Sequence, residues 1–186
     1  MLLERFLPVY HFHEVHTIHI RATPAQIMRA IKEVAPAEIP LWRTFFWLRS
    51  LPARLTGRVG YRLTPRPVWE QVTVGWFVLL AEDPERELVV GTVGQFWRPQ
   101  GAGTVHLDGP QAFLDFDRPG HAKAAFNFLI DPGEGDCRLR TETRITVADA
   151  AARRRFAGYW RVIYPGTALL RRMWLRAIKR RAERAS

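Results

Sequence analysis

Residues 137–163, CRLRTETRITVADAAARRRFAGYWRVI, change period part-way along. From Cys137 to Val147 the odd positions Cys137, Leu139, Thr141, Thr143, Ile145 and Val147 are mostly apolar, and the even positions Arg138, Arg140, Glu142 and Arg144 are charged. Successive side chains of a strand alternate between faces, so the odd set should face the interior. The charged set, a ladder of opposite signs, then reads as a solvated sheet face. At Asp149, a good N-cap, the period switches. Phe156, Trp160 and Ile163 repeat at i, i+4 and i+7, and Leu170, Trp174 and Ile178 resume the stripe. Pro165 lacks an N–H and disfavours helical backbone at Tyr164, which predicts a kink there. The basic tail, residues 182–186, is expected to fray.

Upstream, Asp131-Pro132-Gly133-Glu134-Gly135-Asp136 closes a hairpin onto a strand at 122–131. There Phe126, Phe128 and Ile130 share the inward face, and Lys123, Asn127 and Asp131 point out. Earlier runs at 69–81, 86–97, 104–108 and 111–117 read as strands between turn signals, and such short connections favour an antiparallel meander. Strands 69–81 and 86–97 are apolar on both faces, so their inward parity stays open. Their second face would be covered by residues 38–55 or by a second subunit. Residues 13–21 read as the first strand, after an N-terminal extension at 1–12. Thr23-Pro24-Ala25-Gln26 is a capping box with proline at N1, starting a helix that reaches about Val34. Residues 38–55 read as a second helical segment, apolar nearly all round.

This order predicts one α+β domain over residues 1–186: a helix-grip fold, with a curved antiparallel sheet of about six or seven strands on a long kinked C-terminal helix. The chain resembles the START-like, Bet v 1-like superfamily, which includes polyketide cyclase/dehydrase-type proteins. The residues that carry the likeness are Ile18-His19-Ile20-Arg21-Ala22-Thr23-Pro24-Ala25-Gln26, Arg86-Glu87-Leu88-Val89-Val90-Gly91, Ala125-Phe126-Asn127-Phe128, Thr141-Glu142-Thr143-Arg144-Ile145 and Phe156-Ala157-Gly158-Tyr159-Trp160. The resemblance spans residues 13–182 and implies a deep, mostly apolar cavity between sheet and helix. Superfamily members use it for lipids, sterols, polyketides or other hydrophobic ligands. Some are enzymes and many only bind, and no shared catalytic motif exists to carry over.

The expected function is therefore binding or sequestration of a hydrophobic small molecule, lipid-, isoprenoid- or polyketide-like. The expected lining is Phe77, Phe113, Phe126, Phe128, Thr141, Thr143, Phe156, Trp160 and Ile163. The alternative is a cyclase- or lyase-like enzyme in the same cavity, with His106 and Asp115 as candidate proton shuttles. A third reading rests on charge. From Asp149 to Ser186 there are 11 Lys+Arg against 2 Asp+Glu. Such a helix could meet an anionic membrane through Leu169, Met173 and Trp174 beside Arg171, Arg172 and Lys179. A solvated Arg face is the plainer reading. Nucleic acid ranks last, because neither an aromatic RNA-binding platform nor a helix-turn-helix signature is present.

Other chemistries find no support. Cys137 is the only cysteine, so neither an intrachain disulfide nor a Cys-based zinc site can form. His13-Glu14-Val15-His16 has the wrong spacing for a helical zinc motif, and on a strand His16 faces away from His13 and His19, so no metal is expected at His11, His13, His16 or His19. Gly101-Ala102-Gly103 leads into a strand and lacks the third glycine of a dinucleotide fingerprint. No P-loop or nucleophile elbow occurs, and no cofactor is expected. The start lacks the apolar core of a signal peptide, and the longest apolar stretch, Ile39–Leu48, is too short to span a bilayer, so a cytoplasmic protein is expected.

Overall fold

The computed structural model describes residues 1–42, 44, 66–75, 77–98 and 104–185. Most of the second helical segment, 38–55, lies outside the described residues; its start is a 3-10 turn at Pro36–Glu38. The capping box forms as expected. The Gln26 N–H donates to Thr23 Oγ1 at 3.3 Å and the Thr23 N–H to Gln26 Oε1 at 2.8 Å, which starts α2 (Pro24–Glu33).

Six strands form one antiparallel sheet among the described residues: β1 (Phe12–Ile20), β2 (Val78–Asp83), β3 (Glu87–Gly94), β4 (Thr104–Val105), β5 (Ala122–Pro132) and β6 (Cys137–Val147). Their order is β1-β6-β5-β3-β2, with β4 on β3. The β5–β6 hairpin pairs Phe126 with Thr143 and Phe128 with Thr141; β1 adds Glu14 opposite Thr143 and His16 opposite Thr141. The odd residues of β6 face inward as expected. The terminal helix α5 (Ala150–Arg184) covers that inner face, capped by Asp149, whose Oδ1 accepts the Ala152 N–H at 2.8 Å. This is the helix-grip arrangement. Among the described residues, no helix is long and apolar enough to cross a membrane.

One expected strand is part helix, and another is helix for most of its length. Residues 69–81 divide into α3 (Val68–Gly75) and β2, and residues 111–117 give way to α4 (Pro110–Asp115). Short apolar runs do not separate the two periods, and the proline just before α3 and the one at N1 of α4 both favour helix starts. At Pro165, α5 continues without a break, although the Arg161 carbonyl loses its usual donor. The tail expected to fray is helical to Arg184, with Ala182 buried. Arg181 there donates to Glu33 at 3.1 Å and to Glu38 at 2.9 Å.

The largest departure concerns the sheet's outer face, which is covered over β3 and the middle of β5 and β6 and is exposed along β1 at Val15, Thr17 and His19. All eight residues of β3 are buried. The N-terminal segment, with α1 (Leu3–Phe6), and α4 pack Leu3, Phe6, Leu7 and Phe113 over Leu80, Val89, Val93 and Ala125. Beside this patch two members of the charged ladder of β6, Glu142 and Arg144, are buried, while Arg140 is half-buried and Arg138 is exposed. Glu142 accepts from Arg140 at 2.6 Å and from Arg144 Nε at 2.7 Å, and lies 2.8 Å from His13 Nε2. Arg144 also donates to the Leu7 carbonyl at 3.1 Å. Asn127, expected to point to solvent, donates to Glu87 at 2.7 Å, and Glu87 also accepts the Leu2 and Leu3 N–H groups at 2.6 and 3.2 Å. Over β3 this cover comes from the N-terminal segment and α4, with the polar network of Glu87, Asn127, Glu142 and Arg144 beside it.

Candidate ligand site between the sheet and the terminal helix

The inner face carries two apolar ends with polar rows between them. At one end Ile20, Leu139, Ile130 and Phe128 pack with Ile27 and Ile31 of α2 and with Trp174, Leu175 and Ile178 of α5. At the other, Phe156 packs on Ala122, Ile145 and Val147, with its ring 4.7 Å from Phe12 and 5.9 Å from Trp160. Between them the register sets Glu14, Thr143 and Phe126 in one row and His16, Thr141 and Phe128 in the next. His16 Nε2 lies 2.6 Å from Glu14 Oε1, with Glu14 buried and His16 mostly covered. The Thr141 hydroxyl donates to the Asn127 carbonyl at 2.7 Å, so it is satisfied by backbone.

Arg171 reaches into this polar band from α5. Its guanidinium carbon stands 4.2 Å from the Phe126 ring centroid and 5.5 Å from that of Trp174. Its Nη2 makes one long hydrogen bond, 3.4 Å, to the Thr143 hydroxyl. Its Nη1 is buried with no acceptor, and so is the Trp174 indole N–H. Burial pulls the Arg171 pKa down to about 10, against the opposing pull of the Glu14 charge, so the group stays cationic at neutral pH.

Several expected lining residues come together here. Phe126, Phe128, Thr141 and Thr143 are neighbours, and Phe77 joins them with its ring 5.3 Å from Phe126. Phe156 and Trp160 belong to the far aromatic end, and Ile163 lies half-buried on α5 between the two. Phe113 sits elsewhere, on the outer face against Leu80 and Gly91. His106 is exposed beside Asp108 at 3.2 Å, and Asp115 is exposed on α4 and accepts from Gln111 at 2.8 Å; neither is brought to the inner face. The sequence reading passed over Glu14, His16, Arg171 and Trp174 as site residues. A signal for the first two exists: Phe12, Glu14, His16, Ile18 and Ile20 share one strand parity. Of the residues considered for a membrane face, Met173 and Trp174 are buried against the sheet, while Leu169 and Arg172 are exposed.

A separate cleft of about 480 Å³ opens beside the start of α5, lined by His11, Phe116, Arg118, His121, Lys123 and Arg153 among others. Its deepest cation, Lys123, donates to the Leu114 and Phe116 carbonyls at 2.9 and 3.1 Å, so loop structure already uses it.

No family model and no curated protein matches the chain. Solved structures do. MLL2253 from Mesorhizobium loti is 16% identical with a TM-score of 0.40, over 94% of this chain and 99% of that one. The hypothetical protein jhp0584 from Helicobacter pylori is 7% identical with a TM-score of 0.45, over 96% and 93%. The di-domain ARO/CYC BexL from the BE-7585A biosynthetic pathway is 15% identical with a TM-score of 0.34, over 93% of this chain and 47% of that one.

Proposed function

We propose that this chain binds a hydrophobic small molecule between the inner face of its sheet and α5, and holds it away from water. The observation that carries this reading is the burial of α5 along its length. Phe156 and the run from Met173 to Leu175 are buried, but no residue from Ala157 to Arg172 is. Those 16 residues extend for about 24 Å. That pattern supports a helix and sheet that close on each other at the ends and leave room for a guest at mid-span, beside the aromatic rings and few polar groups of the inner face. That composition suits a ligand pocket. Removing about 400 Å² of apolar ligand surface from water contributes on the order of 10 kcal/mol, which after an association cost of about 4 kcal/mol leaves about 6 kcal/mol, an affinity in the tens of micromolar.

The test is a titration with the neutral fluorophore N-phenyl-1-naphthylamine. Wild type should bind it saturably, and Ile163→Arg, at a half-buried position, should weaken binding at least tenfold without loss of helical signal. Unchanged affinity in a folded Ile163→Arg protein rules the reading out.

A further inference from the structure

Resting on that reading, we propose that the bound molecule is a hydrophobic acid whose anionic oxygen pairs with Arg171. A guanidinium taken out of water needs a counter-charge or a full set of acceptors. Arg171 has neither among the described residues. One nitrogen has the 3.4 Å contact with Thr143, and the other is buried with nothing to receive its hydrogens. Two ring faces, Phe126 and Trp174, supply cation–π attraction but accept no hydrogen bond. The nearest acidic influence, Glu14, makes no ion pair with Arg171 and is held by His16 at 2.6 Å. The indole N–H of Trp174, one helical turn on, is a second buried donor without an acceptor.

Both groups are donors only. The missing complement is therefore an oxygen acceptor, and beside a cation the best acceptor carries negative charge. Beside the polar band of Glu14, His16, Thr141 and Thr143, the rings of Phe126, Phe128, Phe77 and Trp174 supply apolar wall. A ligand with a carboxylate, or another acidic oxygen, at one end and a hydrocarbon or ring body fits both halves. A neutral sterol or alkane leaves the guanidinium as it is.

Decanoate and decanol, equal in chain length, separate the possibilities when titrated against intrinsic tryptophan fluorescence. Wild type is expected to bind decanoate at least tenfold more tightly than decanol, and decanoate should raise its Tm. Arg171→Met should keep decanol binding, lose the preference for the acid, and melt above wild type without ligand, because a guanidinium nitrogen buried without an acceptor has gone. A residue serving only to hold the fold would lower the Tm instead. Arg171→Gln provides the same comparison if the methionine variant does not fold. Equal affinities in wild type, or a preference that survives in Arg171→Met, overturn the acid assignment and leave the hydrophobic site standing. Binding of neither compound overturns both.

Discussion

Glu142 Oε1 accepts the Nε–H of Arg144 at 2.7 Å, with 1% and 8% of the two side chains exposed. The pair lies under the N-terminal segment, not under the terminal helix. Removing one partner leaves the other charge stranded, which costs about 3–5 kcal/mol in comparable buried pairs. Glu142→Ala should lose at least about 3 kcal/mol in urea unfolding. A loss below about 1 kcal/mol would mean that water reaches the network freely.

Acid should act through the same carboxylate. Burial tends to raise the Glu142 pKa, but hydrogen bonds from Arg144 and His13 and the charges of Arg140 and Arg144 outweigh it, and the net position lies below the ordinary 4.5. The folded state thus holds this proton less tightly than the unfolded chain does. The contribution is complete above pH 4.5 and disappears as pH falls through the lower folded value. Wild type should therefore lose more stability than Glu142→Gln across that interval. Parallel profiles for the two proteins, measured by urea unfolding at each pH, would contradict this.

Gly91 is required by packing on β3. A Cβ there would stand 2.6 Å from Leu80 Cδ1 and 2.7 Å from Phe113 Cε2. Gly91→Val should cost about 1–3 kcal/mol by overpacking. Phe113→Leu in the same chain should recover part of the loss, since the two sites share a contact. A thermal melt showing simple additivity would place the strain elsewhere.

Deletion of residues 1–7 removes Leu3, Phe6 and Leu7 from the outer face and uncovers Val89, Val93 and Ala125. It also takes two N–H donors from Glu87 and one acceptor from Arg144. The truncated chain should be less stable and self-associate through the bared patch. Sedimentation velocity checks this, and a monomer as stable as the full chain would refute it.

Legibility in the sequence followed the strength of the periodicity. Over residues 137–147 strict alternation defined a strand and its inward face, and Thr23 with Gln26 marked a helix start. Where apolar residues crowd both sides, as in 69–81 and 111–117, the period is lost and helix looks like strand. The charged ladder misled for a different reason. Alternation shows which side chains share a face, not whether that face is wet; Asn127, Glu142 and Arg144 are covered by a segment more than a hundred residues away in the chain. Arg171 was hidden among its neighbours, one of 11 basic residues after Asp149, and only the helix's rotation against Phe126 distinguishes it.

The two ends of α5 are secured differently from its middle. Asp149 fixes the first turn and also accepts the Gly120 N–H at 2.6 Å, while Arg181 and Lys179 tie the last turns to Glu33, Glu38 and the His19 carbonyl. Pro165 sits near the centre, where one rung of the hydrogen-bond ladder is absent. A beam clamped at both supports and weakened at its midpoint yields there first. Bending stiffness is thus lowest between the two anchorages, and bowing at that point need not break either of them.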